Sequence, residues 1–188
     1  MKRIVIFASG SGTNAENLIK YFNNRNTASV VLVLTNNPYA KVLDRCKTHK
    51  VSAMSFNKIA FTETNDVLNV LKASNPDLII LAGFLWKFPA TILNEFPNKV
   101  INIHPALLPK YGGKGMFGML VHEAIVVNKE VETGITIHYV NEHYDEGAII
   151  FQARCDVKPS DSAEDVAAKI HELEMEYFPV IVEKLLKK

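Results

Sequence analysis

Ile4-Val5-Ile6-Phe7-Ala8-Ser9-Gly10-Ser11-Gly12-Thr13-Asn14 decides the fold of this chain. Its first five residues are apolar at consecutive positions, as in a strand covered on both faces. The strand runs into a glycine-rich turn, and Thr13–Phe22 then reads as a helix. The same rhythm repeats outward. Val30–Thr35, Leu78–Ala82 and Val100–His104 read as further apolar strands, with Ala53–Phe56 a short edge strand. Lys41–His49, Thr62–Ala73 and Pro89–Phe96 read as the helices between them. Alternating strands and helices imply a parallel sheet with helices on both faces, and such sheets bind ligands beyond the carboxyl ends of their strands.

After Pro105 the rhythm changes. Residues 106–118 read as a long glycine- and proline-rich loop, of a kind that is often functional. A helix over Leu120–Val127 follows. Thr133–Val140 and Ala148–Ala153 form a strand pair joined by Asn141–Gly147. Ser162–Lys187 reads as a long helix, with Ser162 and Asp165 at its N-cap. Its apolar stripe is Val166, Ile170, Leu173, Tyr177 and Ile181, and Pro179 is expected to kink or break it. The fold class is therefore α/β: one domain with a Rossmann-like parallel sheet, an added antiparallel strand pair and a long C-terminal helix.

Composition bounds the function. The chain has 188 residues, 48% of them hydrophobic, enough for one sizeable core. The 21 basic and 20 acidic residues nearly balance, and no basic run points to nucleic acid. No apolar stretch reaches the roughly 18–20 residues of a membrane span. The short apolar run after Lys2-Arg3 is no signal-peptide core, so the reading is cytoplasmic. Cys46 and Cys155 belong to no CxxC pair and read as buried thiols.

Three groups of residues point to chemistry. Ser9-Gly10-Ser11-Gly12-Thr13-Asn14 opens the first helix. Its converging amides, the helix dipole and the polar side chains suit a phosphate; a plain tight turn with an N-cap is the alternative. It is neither a Walker A loop nor GxGxxG, and no acidic residue stands about twenty residues on to hold a dinucleotide ribose. Second, Asn102 and His104 end a strand two residues apart, so their side chains point the same way. His104 suits general acid–base work near its ordinary pKa of about 6.5. Asp145 can orient it, and the Asn102 amide can donate to a developing oxyanion. These three suit acyl-type transfer through a tetrahedral intermediate. No serine or cysteine sits in a nucleophile elbow, so transfer is direct. Third, Leu85-Trp86-Lys87-Phe88 reads as pocket wall, with core filling the alternative. His122 and His171 read as solvated or half-buried helix residues. His138, His143 and Asp145 are a weak candidate metal set, and no metal is expected.

These motifs fall in a recognisable order: the Ser9–Asn14 loop, Leu81-Ala82-Gly83-Phe84, Asn102-Ile103-His104-Pro105-Ala106-Leu107-Leu108-Pro109-Lys110-Tyr111, Thr133-Gly134 and Asp145-Glu146-Gly147. From about Ile4 to Leu186 the chain resembles the phosphoribosylglycinamide formyltransferase family, the folate-dependent glycinamide ribonucleotide transformylases of purine synthesis. The resemblance implies transfer of a formyl group from 10-formyltetrahydrofolate, a co-substrate, to the amine of glycinamide ribonucleotide. It implies Gly12, Thr13 and Asn14 on the phosphate, and Glu174 on the ribose. It implies Leu85, Trp86, Lys87, Phe88, Asn102 and Asn141 around the folate, and Asn102, His104 and Asp145 as the catalytic residues. One formyltransferase domain would span residues 1–188, with about 1–100 on the ribonucleotide side and about 101–188 on the catalytic and folate side. Small-molecule substrates are the implied partners, and the chain is expected to be a monomer or homodimer.

The chain departs from the family pattern in three places. Gly112–Gly118 is longer and richer in glycine than the usual segment, which bears on acceptor entry. A folate-binding arginine is missing between residues 57 and 66, and Trp86-Lys87 replaces an apolar-arginine pair. These last two bear on the folate tail more than on the reaction. Related alternatives are formyltetrahydrofolate hydrolase, methionyl-tRNA formyltransferase and a non-catalytic nucleotide-binding module. The tRNA enzyme needs a further domain, and the hydrolase needs no phosphate cradle.

Overall fold

The computed structural model describes residues 1–187. Five strands run parallel: β1 (Lys2–Phe7), β2 (Ala28–Thr35), β3 (Ala53–Ser55), β4 (Leu78–Ala82) and β5 (Val100–His104). The antiparallel pair β6 (Glu132–Tyr139) and β7 (Ile149–Asp156) extends the sheet beyond β5, giving the order β3-β2-β1-β4-β5-β6-β7. Side-chain alternation divides the core between the two faces. Ile4, Ile6, Ile101 and Ile103 point to one face. There they pack under α1 (Thr13–Asn23), α6 (Met119–Val127) and α7 (Ala163–Leu186). Val5, Phe7, Ile79 and Leu81 point to the other. That face is covered by α3 (Lys58–Thr62), α4 (Asp66–Ser74) and α5 (Ala90–Glu95). A further helix, α2 (Val42–Thr48), follows β2 and buries Val42 and Cys46.

Three expectations need correction. The single helix expected over Thr62–Ala73 is two. The Asn57 side chain accepts from the Ala60 amide and starts α3 early, and Thr64 then bonds Asp66 and opens α4 separately. Pro89 precedes α5 as its N-cap instead of entering its first turn. Pro179 does not break α7, which runs unbroken to Leu186. A proline lacks the N–H that would bond the carbonyl four residues back. Here that carbonyl is Met175 O, and Asn17 Nδ2 of α1 donates to it at 3.0 Å. A second helix therefore supplies the missing hydrogen bond. At the other end of α7, Ser162 and Asp165 form a reciprocal capping box, as read from the sequence. Cys46 is buried, but Cys155 on β7 is only half-buried.

Asn17→Ala should cost about 1–3 kcal/mol, because it leaves the Met175 carbonyl unpaired. Pro179→Ala in that background should recover stability by restoring the α7 bond. Chemical denaturation of the single and double variants measures this coupling, and strictly additive effects would contradict it.

Candidate active site

The carboxyl ends of β1, β4 and β5 open onto one cleft of about 740 Å³. Residues Ser9–Asn14 and Ala82–Leu85 line it, with Asn102–Pro105, Gly113–Gly118 and His122. Tyr144, Asp145 and the α7 residues Ala167, Ile170, His171 and Glu174 complete the wall.

At the β1 end the backbone turns into α1 through Gly12, whose φ is 72°. A Cβ there would stand 2.3 Å from Val42 Cγ2, so both the conformation and the close approach require glycine. No side chain caps α1, so its first turn presents uncapped backbone to the cleft. The loop is braced from behind: Arg45 Nε donates to the Ser11 carbonyl at 2.8 Å. Arg45 also pairs with Glu16 of α1, which bonds His49 as well. The His49 bond leads the influences that hold the Glu16 carboxyl down at about 2, against an opposing burial effect. Asn14 Nδ2 donates to Glu174 Oε2 at 2.9 Å, while Asn14 Oδ1 is sealed without a partner. Burial pushes the Glu174 carboxyl above its usual range, with Asn14 and His171 pulling the other way. Glu174 thus joins the N-terminal loop although it lies on the last helix.

At the β5 end, antiparallel pairing sets Asn102 opposite His138 and His104 opposite Thr136. His138 Nδ1 lies 2.8 Å from the Tyr139 carbonyl, which can only accept. Its Nδ1 therefore carries a proton, and Nε2 lies 3.1 Å from Asn102 Nδ2 and 3.5 Å from Asp145 Oδ1. An Asn102 N–H reaches Asp145 Oδ1 at 3.4 Å. His104 is 4% exposed, and its Nε2 donates to the Tyr111 carbonyl at 2.7 Å. Its titrating nitrogen is then Nδ1, 3.6 Å from Asp145 Oδ2, a charge contact longer than a hydrogen bond. Burial pushes the His104 pKa down, opposed by Asp145 and the Tyr111 carbonyl. Burial would raise the Asp145 carboxyl, but His138, His104 and the Gly113 amide together hold it below the usual range.

Asp145 is held in a left-handed conformation, φ 57°, which aspartate tolerates better than most residues. Its Oδ2 also accepts from the Gly113 amide at 2.9 Å. The chain after it passes so close to β6 that a Cβ on Gly147 would lie 1.6 Å from the Tyr139 carbonyl.

The structure gathers Gly12, Thr13, Asn14, Glu174, Asn102, His104, Asp145 and Leu85 on one cleft. It leaves Trp86, Lys87, Phe88 and Asn141 off that wall. Phe88 is buried against Phe7, with ring centroids 5.1 Å apart, and Trp86 packs on Phe56 and Phe61. Phe88 fills the core behind the site, and Trp86 is half-buried against its edge. Lys87 is exposed, and Asn141 accepts from the His143 amide to shape its own loop. His122 departs from the solvated or half-buried reading: it is 6% exposed and lines the cleft. His138 also belongs to the site, through Asn102 and Asp145. No local sequence pattern marks it: the register of β6 on β5 sets it opposite Asn102, so both face the same side.

Strand-end carboxamide, imidazole and carboxylate beside a helix-N-terminal cradle agree with the comparisons. Residues 2–182 match the formyl transferase family, and the chain belongs to it. It is 33% identical to the phosphoribosylglycinamide formyltransferase of Bacillus subtilis (strain 168), covering 99% of this chain and 95% of that one. The crystal structure of glycinamide ribonucleotide transformylase 1 from Geobacillus kaustophilus superposes with TM-score 0.90 at 33% identity, covering 99% of each chain. That of phosphoribosylglycinamide formyltransferase from Bacillus halodurans gives 0.88 at 34%, covering 100% of this chain and 96% of that one.

Glu16 carries a depressed folded-state pKa, so its contribution to stability is present above its ordinary value of 4.5 and is lost as pH falls toward about 2. Glu16→Gln should therefore be less stable than the parent at neutral pH, with the difference shrinking through that acid window. Urea denaturation across pH measures it. A difference that persists unchanged at the acid end would contradict the ion-pair account.

Proposed function

We infer that this chain transfers the formyl group of 10-formyltetrahydrofolate to the amine of glycinamide ribonucleotide, the activity named for its relatives. One observation carries the reading: a single cleft joins Asn102, His104 and Asp145 to the uncapped start of α1. An acceptor spanning them has an anion at one end and a nucleophile at the other.

In this reading the backbone of Gly12, Thr13 and Asn14 receives the phosphate, where the helix dipole favours negative charge. Glu174, positioned by Asn14, accepts from the ribose hydroxyls. Phe84, Leu85 and Tyr144 give an apolar and aromatic wall to the pterin. The amine attacks the formyl carbon directly, and negative charge grows on the formyl oxygen. Asn102 receives that oxygen. Its 3.4 Å bond to Asp145 is the longer of its two and the one that yields, while His138 keeps the amide oriented. The charged fraction of His104, stabilised by Asp145 through Nδ1 against the opposing burial, supports the oxyanion. Charge stabilisation in a site closed to water is worth more than in solution.

His104→Ala, Asn102→Ala and Asp145→Ala should each lower kcat by roughly 10²–10⁴-fold in protein that remains folded at the assay temperature. Near-normal turnover in any of them removes that residue from the mechanism. An acceptor lacking the phosphate should show a raised KM with the parent enzyme, and an unchanged KM would contradict the cradle.

A further inference from the structure

His122 is a buried imidazole that the mechanism above does not use. It sits on α6 and lines the cleft, close enough to His104 to feel its charge. It is 6% exposed, and its Nδ1 is sealed without a hydrogen-bond partner. That leaves Nε2 as the nitrogen with access to the cleft. The contrast with its neighbours is sharp. His104 and His138 each donate one ring N–H to a backbone carbonyl, which fixes their tautomers. A histidine kept only for packing would have partners of this kind, or would be matched by leucine without the cost of a buried unpaired nitrogen.

Its charge state suits a base. Burial, and next the neighbouring His104, push its pKa below the ordinary histidine value. It is therefore uncharged at neutral pH and able to accept a proton. His104 is placed differently, with Nε2 committed to Tyr111 and Nδ1 facing Asp145.

We propose that His122 is a second acid–base residue of the formyl transfer, taking a proton from the attacking amine and returning it to the departing folate nitrogen. The proposal rests on the formyl-transfer reading given above. The amine lone pair forms the new bond to the formyl carbon, and the carbonyl pair moves onto oxygen. The amine nitrogen, now positive, gives a proton to His122 Nε2. The oxyanion then re-forms the carbonyl, and the bond from carbon to the folate nitrogen breaks with its electron pair on nitrogen. That nitrogen takes the proton from His122, which ends neutral, as it began. One imidazole serving first as base and then as acid is the division of labour seen in hydrolytic triads.

The test uses the full chain with glycinamide ribonucleotide and 10-formyltetrahydrofolate, and the variants His122→Leu, His122→Gln and His122→Ala. His122→Leu should lose roughly 10²–10⁴-fold in kcat, with KM for both substrates near that of the parent. Its unfolding midpoint should equal or exceed the parent's, because the sealed nitrogen is gone. His122→Gln should stay slow, since an amide can hydrogen-bond but cannot carry the proton. Added imidazole should restore part of the turnover of His122→Ala and leave the parent unchanged. Parent-like kcat in the leucine or glutamine variant overturns the proposal. So does a loss in His122→Ala that imidazole does not restore. Failure of the parent itself to formylate the ribonucleotide would instead take down the formyl-transfer reading on which the proposal rests.

Discussion

One buried carboxylate holds the β5 end of the cleft together. Asp145 accepts from the Gly113 amide and from Asn102, and it faces both His104 and His138. A carboxylate out of water is costly unless it is paired and hydrogen-bonded. Its partners come from β5, from β6 and from the glycine-rich segment after β5, and one charge ties the three together. The same demand explains the backbone around it. The loop after β6 reaches the carboxylate only with Asp145 at positive φ and with Gly147 pressed against the Tyr139 carbonyl.

The β1 end of the cleft is built on a different principle. Its donors are backbone groups at the start of α1, and the charged residues stand behind them. Arg45 holds the Ser11 carbonyl and pairs with Glu16. The loop is thereby shaped by an ion pair that does not occupy the ligand's place. In the proposed reading the two ends define the acceptor: an anion on backbone amides, and an amine within reach of a carboxamide and imidazoles.

Much of this was legible in the sequence, and for identifiable reasons. The strands are apolar on consecutive positions, so β4 and β5 could be placed to the residue. The spacing of Asn102 and His104 gave their common face, since strand parity needs no tertiary information. What escaped depends on contacts distant in sequence. Asn17 rescues α7 from Pro179 only because α1 packs beside it. Phe88 reads as a pocket residue until the aromatic cluster around Phe7 buries it. His138 enters the site through the register of β6 on β5, and His122 through the packing of α6. Neither register nor helix packing is written in a local pattern.

The central claim is that one cleft brings a folate-borne formyl group directly to the amine of a phosphorylated acceptor. A single-turnover reaction with formyl-labelled 10-formyltetrahydrofolate and glycinamide ribonucleotide tests it most directly, following the label in acceptor, protein and free formate. The account predicts that label passes from folate to the ribonucleotide amine with none bound to the protein at any time. Label that appears only as formate, or that resides first on the protein, would contradict it.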